Sequence, residues 1–79
     1  MQKELLQDLA NLTGCTYISD LRFLPEPDII KVFLEMIVPC EYSIADWNLA
    51  VHYLTNNRVE FLSVEEAKKY LIDYKFPRL

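Results

Sequence analysis

The residues able to make or break bonds in this chain are few. Cys15 and Cys40 are its two thiols and His52 is its one imidazole. A thiol beside an imidazole, oriented by a carboxylate or amide, would form a nucleophile–base pair. No local signature joins these three residues. The packing alternative, two reduced and buried thiols with a solvated histidine lying off the Trp47, Val51, Leu54 stripe, carries far more weight. The same three side chains could give a metal at most three ligands, without the close ligand pairs of structural zinc sites. Glu65 and Glu66 are adjacent carboxylates, but one is placed to cap a helix and the other to face water, which accounts for both without acid–base work. With Gly14 as the single glycine there is no Gly-rich phosphate loop. The expectation is a non-enzymatic chain with no catalytic residue, no cofactor and no metal.

Composition narrows the remaining classes. The chain has 79 residues, 52% hydrophobic and 13% aromatic, with a net charge of −4. That length fits one domain spanning 1–79, at a size where a single core is only marginally stable. Two cysteines without a secretory segment ahead of them point to a reduced, cytoplasmic setting. No apolar stretch reaches the roughly 18 residues of a membrane span. An acidic chain with scattered Lys and Arg also argues against a phosphate-binding surface. Packing and self-association are the remaining sources of stability.

The elements that must position these side chains are helices. Leu5, Leu6, Leu9 and Leu12 form a stripe on one face opposite Gln2, Lys3, Gln7, Asp8 and Asn11, and Gly14 sits where a left-handed residue would end the helix. Tyr17, Ile18, Leu21 and Leu24 favour a short helix from Tyr17 to Phe23 over an extended segment at 16–18. Breaks at Pro25, Glu26 and Pro27 precede a helix over 28–37, with Pro27 suited to its first turn. Ser43 and Asp46 start a helix over 44–56 whose inward stripe is Ile44, Trp47, Val51 and Leu54, and Asn56 and Asn57 end it. Residues 58–62 read as an extended connector with Val59 and Phe61 over the core. Ser63 and Glu66 form a capping box for a last helix that buries Val64, Ala67, Tyr70, Leu71 and Tyr74 and turns Lys68 and Lys69 outward. Phe76 and Leu79 are placed to fold back. The expected fold is all-α, a compact bundle of four or five short helices.

The helix over 28–37 is apolar almost all round, with Asp28, Lys31 and Glu35 as its narrow wet stripe. Such a helix is either central in the bundle or half-covered by another subunit. Tyr and Trp are also favoured interface anchors. Phe33, Met36, Tyr42, Trp47 and Tyr53 are therefore the candidate interaction surface of a protein–protein interaction or regulatory module, most simply a self-associating one. The alternative is a small DNA-binding, transcription-linked regulator. It requires Arg22, Lys31, Arg58, Lys68, Lys69, Lys75 or Arg78 to converge on one face, and the 44–56 helix offers Ile44, Ala45, Asp46, Trp47 and Asn48 where base-reading side chains would stand.

The runs YISDLRFL at 17–24, YSIADWNLAVHYL at 42–54 and SVEEAKKYL at 63–71 resemble small uncharacterised bacterial proteins with no assigned function. The resemblance implies a bacterial, cytoplasmic origin and transfers no site residues.

Overall fold

The computed structural model describes residues 4–24 and 26–76. The break at Pro25, the fold-back of Leu79, and Gln2, Lys3 and Arg78 lie outside them. Four α-helices follow one another, α1 (Leu5–Leu12), α2 (Ile29–Met36), α3 (Ile44–Thr55) and α4 (Val64–Asp73), with 3₁₀ helices at Ile18–Phe23 and Pro39–Glu41. Among the described residues there is no strand, and 58–62 is a connector without helix or strand in which Phe61 packs against the core but Val59, expected over it, is exposed. The protein is a compact all-α bundle. α3 packs on α1 and α4, and α2 packs on α1 and α4.

Local chemistry explains each boundary. α1 stops in a Schellman turn, where the Cys15 N–H donates to the Ala10 carbonyl at 2.8 Å, the Gly14 N–H donates to Asn11 at 3.3 Å, and Gly14 takes φ +78. The expected helix at Tyr17–Phe23 is a 3₁₀ helix because its apolar residues recur every three positions. Leu21 is buried between half-buried Ile18 and Leu24, which suits three residues per turn. Its start is fixed by the Tyr17 N–H donating to the Asp20 carboxylate at 3.1 Å. α3 begins at Ser43, whose hydroxyl accepts the Asp46 N–H at 3.1 Å, and ends at Asn56 with φ 57.

One core joins the helices. Leu5, Leu6, Leu9 and Ala10 meet Leu21, Ile30, Leu34, Tyr42, Trp47, Ala50, Val51, Ala67 and Leu71. Leu12 is exposed where the inward stripe expected it, because α1 ends there and Ala10 takes the inward place. Val64, Tyr70 and Tyr74 are only half-buried.

Ser63 does not close the expected capping box. Its hydroxyl donates instead to the Glu65 carboxylate at 2.8 Å, leaving no side-chain cap on α4, and this bond holds the Glu65 carboxyl below its usual range. Lys68 does not point outward either. It is half-buried and donates to the carbonyls of Ile37 at 2.9 Å and Glu35 at 3.4 Å, so a cation from α4 satisfies the C-terminal end of α2.

Candidate interaction surface

The helix expected to be central or half-covered lies on the outside of the bundle. Its first turn is tight, with the N–H groups of Ile29, Ile30 and Lys31 reaching back three residues to Glu26, Pro27 and Asp28. Ile30 and Leu34 point into the core and are fully buried. Phe33 and Ile37 are half-buried beside them. On the adjacent face Ile29, Val32 and Met36 are 41%, 57% and 73% exposed. At roughly 100° per residue, positions i, i+3 and i+7 fall in one row, so these three form a continuous apolar stripe with Phe33 along its inner edge. Single exposed apolar side chains are ordinary, whereas large contiguous apolar patches are where interaction sites are commonly found. Each such side chain forgoes part of the roughly 1.5–3 kcal/mol that full burial gives.

The outer edge of the stripe is acidic. Asp28 and Glu35 are seven positions apart and share one side of the helix, and both are exposed. Lys31 lies farther round. Its ammonium is 4.0 Å from the Asp28 carboxylate and 5.9 Å from the centre of the Phe76 ring, on the side toward the end of the chain.

Of the five residues expected on the interaction surface, Phe33 and Met36 sit on this helix. Tyr42 and Trp47 are corrections. The chain's own core encloses Trp47 completely, and its Nε1–H donates to the Pro39 carbonyl at 2.9 Å. Tyr42 packs edge-on to Trp47, ring centres 6.2 Å apart, and its hydroxyl donates to the Asp8 carboxylate at 2.5 Å. Burial and that carboxylate push the Tyr42 phenol well above the usual tyrosine range. Both aromatics satisfy their polar atoms internally, which is why the core can hold them. Tyr53 is half-buried, with the Arg22 guanidinium 5.3 Å above its ring. Ile29 and Val32 were not among the five, although their spacing with Met36 was the signal that could have placed them there.

The reactive side chains stand on different elements, Cys15 after α1, Cys40 on the 39–41 turn and His52 in α3. Cys40 is exposed on the 3₁₀ turn Pro39–Glu41, contrary to the buried thiol expected there, because the turn lifts it off the core. Cys15 is half-buried, with the Thr13 hydroxyl 3.3 Å from its sulfur. His52 is half-buried, where a solvated ring was expected, because α3 lies against two other helices. No three His, Cys, Asp or Glu side chains among the described residues stand close enough to share a metal ion.

A shallow groove on α4 is walled by Phe61, Tyr70 and Tyr74. Tyr70 stacks on Tyr74 at 6.1 Å, and Phe61 tilts against Tyr70 at 5.3 Å. The tyrosine hydroxyls are already used, Tyr70 accepting from Asn57 at 3.3 Å and Tyr74 donating to the Thr55 carbonyl at 3.4 Å. Charges of both signs, Glu66, Lys69 and Asp73, rim the groove. Three of the basic side chains serve separate places, Arg22 on Tyr53, Lys31 beside Asp28, and Lys68 on the end of α2.

The fold and this surface define the class as a small all-α bundle that, among the described residues, leaves an apolar face of α2 open to solvent. Comparison with known proteins finds no matching family model, no matching curated protein and no matching solved structure. Within the described residues, no helix is long and apolar enough to cross a membrane.

Proposed function

We propose that this chain is a non-enzymatic protein–protein interaction module, working in the cytoplasm, that docks through the outward face of α2. The observation that carries the reading is the row of Ile29, Val32 and Met36, open to solvent on a helix whose Ile30 and Leu34 are fully buried on the adjacent face. Exposed apolar rows of this kind are where partner helices seat themselves in grooves and against helical faces. Self-association is one form of this role. A small core gains stability when a second copy covers apolar surface.

A paired experiment tests the docking role. Sedimentation velocity over a rising concentration series reads self-association, and titration with helical peptides carrying one apolar face reads binding of a different partner. Val32→Lys and Met36→Lys leave the core untouched, so their helical circular dichroism should match the parent. At least one of the two assays should show association that both variants abolish. Association absent from both assays, or unaffected by the variants, overturns the proposal.

A further inference from the structure

We infer that the outer face of α4 pairs with a second copy of this chain, antiparallel about a twofold axis, with Lys69 of each copy against Asp73 of the other. This goes beyond the docking role of α2 and does not rest on it. The face is the shallow groove whose floor is Phe61, Tyr70 and Tyr74. Glu66, Lys69, Tyr70, Asp73 and Tyr74 recur at i, i+3, i+4, i+7 and i+8, which places them on one side of the helix. The three rings are half-buried, and both tyrosine hydroxyls turn to partners within the chain, so the floor offers apolar area. Glu66, Lys69, Asp73 and Lys75 are exposed, and among the described residues none of the four enters an ion pair. Glu65, four positions before Lys69, is engaged by the Ser63 hydroxyl.

The order of the charges selects the occupant. In an antiparallel twofold pair, equivalent flanks meet, and positions equally far above and below the axis face each other. With the axis at the level of Leu71, Lys69 lies about 3 Å to one side of it and Asp73 the same distance to the other, from the helical rise per residue. Each Lys69 therefore meets Asp73 of the other copy, at two symmetric places. Farther out, Glu66 comes to the end where Lys75 of the other copy follows α4. The signs alternate along 66, 69, 73 and 75, starting negative, and reversing that order sets opposite charges together at every step. On the remaining flank Tyr70 and Tyr74 meet their own equivalents, ring against ring. A uniformly basic or uniformly acidic helix would oppose half of these charges with their own sign. A parallel twofold pair would lay the charged flank on the tyrosine flank and pair nothing. Such matching selects the partner and its register more than it adds raw affinity. The groove is lined from α4 and its flanking connectors, so the pair would carry two α2 rows.

Sedimentation velocity of the full chain, from micromolar to millimolar concentration, tests the pairing. The parent should form a dimer that weakens with added salt. Lys69→Asp and Asp73→Lys each set like charges opposite at both symmetric places, and each should raise the dimer dissociation constant about tenfold or more. Both residues are exposed, so the helical circular dichroism of each variant should match the parent. An equimolar mixture of the two variants brings opposite charges together again at both places. It should restore the dimer, which no pairing within one chain can do. Val32→Lys should leave the dimer unchanged. A monomer at every concentration overturns the inference. So does a dimer indifferent to both charge reversals, or one that they weaken and their mixture fails to restore. A dimer lost in Val32→Lys and kept in the α4 variants assigns self-association to α2, so the inference falls while the docking role stands. A dimer restored by mixing, with α2 silent toward helical peptides, keeps the inference and overturns the docking role.

Discussion

The carboxylate of Asp46, in the first turn of α3, accepts the backbone N–H of Leu5 at 2.8 Å. Leu5 opens α1, and its own N-cap residue, Glu4, supplies no side-chain bond. One helix is therefore capped by a residue from another, 41 positions away. The acid also lies near the partly positive end of the α1 dipole, where a negative charge is favourable. The same residue gives its N–H to Ser43, so Asp46 ties the starts of α1 and α3 together.

Asp46→Ala should cost about 1–2 kcal/mol, the range for losing an N-terminal cap. Asp46→Asn keeps an acceptor without the charge and should recover part of it. Urea unfolding of the three proteins measures the difference. Equal stability of Asp46→Ala and the parent would show that the bond to Leu5 contributes nothing.

The two serine starts should behave differently. Ser43→Ala removes an acceptor that the Asp46 N–H uses and should cost about 1 kcal/mol. Ser63→Ala removes only an exposed hydroxyl bonded to Glu65, and should stay within about 0.5 kcal/mol of the parent. A reversed order in thermal melts would restore the capping box at α4.

Tyr42 makes stability depend on alkaline pH. Its phenol is raised above the ordinary value of 10.0, by burial first and then by its bond to Asp8. Above that ordinary value the unfolded chain loses the proton while the folded chain keeps it. The folded state then binds more protons, so stability falls as pH rises. The contribution is complete below pH 10.0 and is lost progressively toward the raised folded value. Tyr42→Phe should cost about 1.5–3 kcal/mol at neutral pH, the range for a hydrogen bond to a charged group. It should also flatten the alkaline limb relative to the parent. Parallel pH profiles would sink the assignment.

Asn48 holds the connector as a strand partner would. Its Oδ1 accepts the Phe61 N–H at 2.8 Å and its Nδ2 donates to the Phe61 carbonyl at 3.2 Å. Asn48→Ala leaves both backbone groups to find water and should cost about 1–3 kcal/mol. It should also speed amide hydrogen exchange at Phe61, whose N–H loses its acceptor. Unchanged exchange there would mean that the connector is held by Phe61 packing alone.

Much of the fold is legible from short-range pattern. The order of the four α-helices, the left-handed residues Gly14 and Asn56, and the helical turn after Tyr17 all follow from periodicity and backbone preference, which act over a few residues. The type of that turn was less plain, because Tyr17, Ile18, Leu21 and Leu24 satisfy a helical row while the tighter row Ile18, Leu21, Leu24 decides it. The candidate surface was half legible. Met36 and Phe33 stood out with their helix, but Tyr42 and Trp47 carry the same interface chemistry whether they face a partner or the core. Ser63 and Glu66 offered a complete capping pattern, and the Ser63 hydroxyl went to Glu65 instead.

The sequence by itself determined that this chain is helical, where its helices begin and end to within a few residues, and that α2 carries more apolar surface than one side of a helix can bury. Those properties are set by local φ and ψ preferences and by a repeat of 3.6 residues. Only the tertiary structure decided which side of α2 is covered. Ile30 and Leu34 went inward and Ile29, Val32 and Met36 outward because α1 and α4 approach from one direction. It likewise decided that Asp46 serves Leu5 and that Lys68 serves the end of α2. Those partners are distant in the chain, and no repeat along the sequence encodes the direction from which a neighbour arrives.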